Sequence, residues 1–361
     1  MTNDLKLRRH NALLVIYLLF ALIFFLLVAL PVMNGTMDFQ FYADSKTYEE
    51  EALYKFMRGD FFDFANNSFG PVQILLLLGP RNYFLIFLFN VTLFLLALKY
   101  LSASCKSIDR TKLYTLIFLS PITFTSLMSI NKEMIALLCV ALIIYNHTRK
   151  RWAIALILIL LTYLVRWQFT GFYLIYLLIF SKINFLRNHR LIVFVIFLLI
   201  TTAVLFVARD SILAKVFARF DNTVDSWDEG RGTFAIAQGL QDNYGYIVAF
   251  VPKVLLLLCG MITRYSLFFD FSDVYNNFIT YLQTIWNIFI LYFAYKGKCM
   301  NMKMSDDFFY IALIYCAIYA ITPIFCTRYF YPGMLFLCYA IAQKCPYQKV
   351  RVSYSSVSQC K

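Results

Sequence analysis

The chain has 361 residues, 61% of them hydrophobic and 15% charged, where a soluble globular protein carries roughly 45–50% and 25%. With 38 Phe and 26 Tyr against 12 Gly and 8 Pro, a disordered or collagen-like chain is excluded, and the apolar runs recur without leaving a soluble domain over. The net charge of +13, from 33 basic and 20 acidic residues, has to be sorted by position before it speaks for a nucleic acid.

The first apolar run, 11–33, follows Lys6, Arg8 and Arg9. It exceeds the roughly 7–15 residues of a secretory signal core and lacks a small-x-small cleavage site, so it reads as a retained span. A polar loop over 34–70 comes next. In it, Tyr48, Ala52 and Phe56 share one helical face, which predicts an amphipathic helix over 44–58 lying on the membrane surface. Asp44 stands at its start, where an acid either satisfies free backbone N–H groups or does chemistry. At least one of Asp38 and Asp44 is expected to be functional, while Glu49-Glu50-Glu51 reads as a solvated face.

Further spans are predicted over 83–98, 113–130, 133–146, 152–165, 168–181, 191–208, 277–295, 308–326 and 329–343. With the first, that makes about ten. Two stretches do not fit: 71–79 is too short, and 246–263 carries Pro252 and Lys253 and ends at Arg264. Both read as re-entrant or interfacial segments, which the bilayer permits where protein or trapped water satisfies the backbone. A second polar loop precedes the latter, with an acidic, Gly-punctuated run Asp225-Ser-Trp-Asp228-Glu229-Gly230-Arg231-Gly232. That run is either a solvated turn, the favoured reading, or a sugar-binding lid. Before it, Ser211–Phe220 reads as another surface helix.

Loop charge sets the topology. With both termini cytoplasmic, the N-terminus and 99–112, 146–151, 181–190, 296–307 and 344–361 hold 20 of the 33 basic residues and only Asp4, Asp109, Asp306 and Asp307 among the acids, a charge of +16. The other side keeps 13 bases and 16 acids. Positive-inside sorting thus accounts for the excess, and no nucleic-acid partner is needed. The fold class is an all-α polytopic membrane protein, one integral-membrane domain over 1–361, with its first outer loop at 34–70 and its second, including the re-entrant segment, at 209–264. The nine Cys avoid the polar stretches 34–70 and 209–245 and form no Cys-x-x-Cys pair, so neither disulfides nor structural zinc are expected.

The polar regions of any size therefore face outward, and chemistry is expected there. Two tight hairpins of short helices carry charged tips, Asn131-Lys132-Glu133 and Arg166-Trp167-Gln168. A rim charge is costly unless it faces a wet cavity. Lys132 and Glu133 either cap the following helix or line that cavity, and Arg166 is either an interface anchor or a ligand group. Cys326-Thr327-Arg328-Tyr329-Phe330-Tyr331-Pro332 holds Arg328 in a very short turn. Its five fixed donors suit phosphate or pyrophosphate, a reading favoured over an arginine snorkelling to headgroups beside belt tyrosines. Lys253 and Arg264 can add phosphate contacts. His10, His147 and His189 all fall near cytoplasmic ends, which leaves no outer His for catalysis. Carboxylates, guanidinium groups and aromatics are a kit for displacing a phosphate leaving group from a sugar.

On these residues the chain resembles bacterial multi-span glycosyltransferases of the GT-C type and the similar repeat-unit (O-antigen) polymerases. The carriers are Asp44, Tyr48, Ala52 and Gly59 in an acidic first loop, Pro121 with Asn131-Lys132-Glu133 at a hairpin tip, Arg166, and the late Arg328-Tyr329-Phe330-Tyr331-Pro332. It departs where the tip has Lys-Glu in place of an Asp and where the late motif lacks a second Pro. The chain is short for a transferase with a separate globular domain, which turns the expectation towards the polymerase. The resemblance implies a GT-C-like fold in the bacterial inner membrane, acting on the periplasmic face on undecaprenyl-pyrophosphate-linked glycans among membrane lipids, and it allows a chain-length regulator as a further partner. Asp44 or Asp38 would act on the acceptor hydroxyl, Arg328 on the leaving group, and Arg166, Lys132, Glu133, Arg264, Tyr48 and Arg231 would bind substrate. No cofactor or protein-bound metal is expected. The alternatives are a GT-C-type transferase adding one sugar from a polyprenyl-phosphate donor and a polysaccharide-precursor flippase.

Overall fold

The computed structural model describes residues 2–36, 44–59, 69–150, 154–207, 233–271, 274–297, 306–321 and 327–343. Every regular element among them is helical. Helix α1, Thr2–Phe24, continues through a π turn at Phe25–Ala29. After the surface helix α2, Ser45–Arg58, come α3 (Phe69–Leu78), α4 (Tyr83–Ser104), α5 (Arg110–Phe118), α6 (Pro121–Met128) and α7 (Lys132–Arg149). The chain goes on through α8 (Ile154–Val165), α9 (Trp167–Phe180), α10 (Arg190–Val207), α11 (Thr233–Tyr244) and α12 (Tyr246–Cys259). It closes with α13 (Thr280–Lys296), α14 (Asp307–Tyr319) and α15 (Tyr331–Gln343).

Among the described residues four helices, Arg9–Met33, Tyr83–Ser104, Arg190–Val207 and Asn276–Lys296, are long and apolar enough to cross a bilayer, or five where the bent pair α6–α7 counts as one broken span. Five shorter apolar helices fill out the bundle. The molecule is a helical membrane protein. Its centre is formed by α7 and α15, in which nearly every side chain is buried, whereas α10 shows most of its apolar surface outward, as a lipid-facing helix does. Helix α3, about 15 Å long at 1.5 Å per residue, is too short to span. It packs on α8, and Gly70 allows the close approach: a Cβ there would stand 2.0 Å from the Leu164 carbonyl oxygen.

The predicted span 113–130 is corrected to two helices. Ser120 ends one and caps the next, its hydroxyl accepting from the Thr123 N–H, and Pro121 takes the first turn, where its missing N–H costs nothing. Inside a membrane the freed backbone groups need partners. Gln283 Oε1 accepts from the Ser120 hydroxyl and the Ile122 N–H, the Trp286 indole donates to Leu116 O, and Asn90 Nδ2 donates to Leu127 O and Ser129 O. Helix α7 then leaves at 118° to α6.

The segment 246–263 also differs from a plain helix. Helix α12 carries Pro252 inside it and gives way to a 3-10 stretch over Gly260–Phe269. Lys253 is fully buried and donates to Gln238 Oε1, Gln241 Oε1 and Ile321 O. Its three donors are used, two in packing α11 onto α12 and one on the chain after α14, so the expected phosphate contact is withdrawn.

Candidate functional site

Helix α2 is built as an amphipathic surface helix, but its buried face is Tyr48, Ala52 and Lys55. Phe56 is 62% exposed, a correction with a simple cause: at 100° per residue, position 55 falls back within about 20° of position 48, while 56 is about 80° away. Tyr48 and Ala52 pack on Val72, Leu75, Ile86 and Ile130. The acidic run is not a simple solvated face either. Glu49 accepts from the Tyr83 hydroxyl at 3.1 Å and faces Arg81 at 3.4 Å, and Glu51 faces Lys55 at 3.5 Å. The Glu49 contacts fix the helix against the start of α4, while the Glu51–Lys55 pair lies within α2 itself.

With α2 so placed, Asp44 does not cap it: no side-chain capping bond forms. The carboxylate turns instead to Arg328, whose Nη2 lies 2.7 Å from Asp44 Oδ2, and accepts from the Tyr48 hydroxyl at 3.3 Å. Burial, helped by the Asp44 and Glu133 charges, raises the Tyr48 phenol above its ordinary range, so it remains a hydrogen-bond donor. Arg328 sits in a one-turn 3-10 helix, Thr327–Phe330, held by the Tyr315 hydroxyl donating to Tyr329 O at 2.8 Å.

The α6–α7 tip is ordered by Asn131. Its Oδ1 accepts from the Glu133 and Met134 N–H groups, and its Nδ2 donates back to Ser126 O and Ser129 O. Asn131 therefore does the capping, which leaves Lys132 and Glu133 for other partners. Glu133 faces Arg166 Nη2 at 3.7 Å. Arg166 is the one extended residue between α8 and α9, and its side chain turns inward, 7% exposed, while the neighbouring Trp167 is 60% exposed. The membrane-anchor reading therefore belongs to Trp167 alone. The Arg166 guanidinium lies 3.8 Å over the Tyr329 ring, and that of Arg328 lies 5.3 Å from the same ring. Tyr329 is thus a shared platform rather than a belt residue, and Tyr331 is fully buried on the Thr123 hydroxyl.

Lys132 completes the group. Its ammonium lies 5.6 Å over the Tyr48 ring, the residue is 6% exposed, and among the described residues it makes no ion pair or hydrogen bond. Segments far apart in sequence thus bring three cations, Lys132, Arg166 and Arg328, against two carboxylates, Asp44 and Glu133. The Asp44 and Glu133 charges act on Lys132 without an ion-pair contact among the described residues, so three basic groups share two carboxylates and an added anion would offset the excess. The arrangement can bind a phosphate-type group and set a carboxylate beside it.

Of the residues chosen from sequence, Asp44, Tyr48, Lys132, Glu133, Arg166 and Arg328 converge here. Asp38, Arg231, the 225–232 run and Ser211–Phe220 lie outside the described residues, as does the side chain of Arg264. Sequence reasoning missed Tyr329 as the platform and Glu49 as an anchor. Among the described residues no three His, Cys, Asp or Glu side chains group as metal ligands.

The opposite end of α7, about 22 Å away along its axis, holds a separate network. His147 bonds Tyr176 and Asp307, each at 2.9 Å, and Asp307 also pairs with Arg190. It ties α7, α9, α10 and α14 together. In comparisons with known proteins, no family model, curated protein or solved structure matches the chain.

Proposed function

We propose that the protein is a glycosyltransferase of the polymerase kind, joining undecaprenyl-pyrophosphate-linked oligosaccharide repeat units on the periplasmic face of the bacterial inner membrane within a GT-C-like fold of about ten spans. The observation that carries the reading is the buried Lys132 ammonium, in no ion pair among the described residues, set beside two guanidinium groups and a half-exposed carboxylate. Three cations suit a pyrophosphate leaving group, and Asp44 suits an acceptor hydroxyl.

In this reaction the acceptor oxygen attacks the anomeric carbon of the donor sugar and gives its proton to the Asp44 carboxylate. The new glycosidic C–O bond forms as the bond from the anomeric carbon to the phosphate oxygen breaks. The electron pair leaves on that oxygen, where Arg328 and Lys132 stabilise the growing charge. Arg166, braced by Glu133 and stacked on Tyr329, positions the phosphate end of the site. Charge sorting supports the sidedness, since the end of α7 that carries His147 lies with the basic loops.

A deletion strain tests this. Loss of a polymerase leaves single-unit glycans on the surface lipid, loss of a side-branch transferase leaves a full ladder of altered composition, and loss of a flippase leaves neither. Complementation with Arg328→Ala or Asp44→Ala, at normal protein abundance, should fail to restore the ladder. A normal ladder from both variants rejects the site.

A further inference from the structure

The two ion pairs of the site differ in a way that a static binding pocket does not need. Glu133 and Arg166 are both inside, their side chains 6% and 8% exposed. Asp44 and Arg328 form the outer pair: the guanidinium side chain is 11% exposed, but the carboxylate is 40% exposed, at the very start of a helix it does not cap. The inner pair is expensive to separate, because either partner alone would be a buried charge. In the outer one the carboxylate already meets solvent, so its release leaves only the guanidinium side to be compensated, which an incoming anion does. Arg328 keeps its place without Asp44, since Tyr329 lies under its guanidinium and Tyr315 holds the turn.

We propose that the Asp44–Arg328 pair is an exchangeable latch. The carboxylate occupies the guanidinium in the empty site, and the oxygens of an incoming phosphate or pyrophosphate group take its place. This rests on the reading of the cluster as an anion site given above, and it adds how that site is regulated. A doubly charged phosphate group binds a guanidinium through two parallel N–H···O bonds and carries more charge to Arg328 and Lys132 than the single negative charge of Asp44 supplies. The released Asp44 stays close, since Tyr48 still donates to it and Glu49 holds the helix on Tyr83. It becomes a proton acceptor only once the phosphate is seated. An acceptor hydroxyl arriving first finds the carboxylate engaged, so the latch imposes an order: donor phosphate, then acceptor.

The test is calorimetric titration of the full chain in nanodiscs with inorganic pyrophosphate. Asp44→Asn removes the competing charge and is expected to tighten pyrophosphate binding about tenfold, a 1.4 kcal/mol change, while abolishing transfer. Arg328→Gln is expected to abolish binding. Equal or weaker binding by Asp44→Asn, or by Asp44→Ala should the Asn variant melt early, overturns the proposal. A second readout uses a fluorophore on Lys46→Cys, an exposed position in the first turn of α2, with the other cysteines replaced by alanine. Its emission should shift saturably with pyrophosphate when Asp44 is present and stay constant in Asp44→Asn, and a shift of the same size in both rejects the latch. Deletion phenotype and latch separate cleanly. Tightening by Asp44→Asn in a protein whose deletion leaves the ladder intact keeps the latch and discards the polymerase. A single-unit phenotype with weaker binding by Asp44→Asn does the reverse.

Discussion

Arg166 stands 3.7 Å from Glu133 with both side chains under a tenth exposed, and the two reach that position from separate helix hairpins. Removing one partner leaves the other charged and buried, at a cost of about 3–5 kcal/mol. Glu133→Ala and Arg166→Ala should each lower the unfolding midpoint in detergent strongly, and the double variant should recover part of the loss. Additive losses in the double variant would show that the two side chains do not depend on one another.

Arg328 and Asp44 are expected to affect turnover rather than folding. Arg328→Lys keeps the charge but loses the planar fork, and should cut transfer about tenfold or more at unchanged thermal stability. Asp44→Ala should lose roughly 10²–10⁴-fold, the usual contribution of a positioned base. Both are read from ladder formation by purified protein supplied with lipid-linked repeat units.

Two glycines should respond in opposite directions. A Cβ on Gly70 would meet the Leu164 carbonyl oxygen at 2.0 Å, whereas one on Gly171, within α9, would meet nothing within 4 Å. Gly70→Ala should therefore destabilise by about 1–3 kcal/mol, as overpacking does, and displace α3 beside the Arg166 tip. Gly171→Ala should be neutral or stabilising by up to about 1 kcal/mol. Melting curves of the two variants decide the point.

At the far end of α7, Asp307 joins His147 and Arg190. Asp307→Ala should lower the unfolding midpoint while leaving pyrophosphate affinity untouched, because the network is a fastener remote from the cations. A changed affinity would mean that the two ends of α7 communicate.

Sidedness has its own measurement. In a background with the native cysteines replaced, Lys46→Cys should be labelled by a membrane-impermeant maleimide on intact spheroplasts, and the exposed Lys106→Cys only after the membrane is opened. The reverse pattern would turn the molecule over and remove the periplasmic assignment.

Much of the helical architecture was legible because apolar runs and loop charge follow from the bilayer's thickness and its charge asymmetry. The site was legible in its residue types: charges beside short turns at a rim are costly unless used, which singled out Lys132, Glu133, Arg166 and Arg328. Their pairing was not legible. Nothing near Asp44 in the sequence announces Arg328, and nothing near Glu133 announces Arg166, since such contacts are decided by how α2, α7, α9 and the 327–330 turn dock. The break at Ser120 was hidden for a related reason. Gln283 and Trp286 supply the hydrogen bonds that make it tolerable, and they lie on another helix. Lys55 in place of Phe56 on the inner face of α2 was a matter of phase alone, with both residues one turn from Ala52.

The clasp of Glu49 on Tyr83 and Arg81 gives the helix that bears Asp44 a pivot barely more than one turn from the carboxylate. Any swing of Asp44 is then a short arc about a fixed point, and the cover over the cations is reset without refolding a loop. For the polymerase proposed above, so small a recoil between cycles would let the product chain stay in place while the next carrier lipid docks.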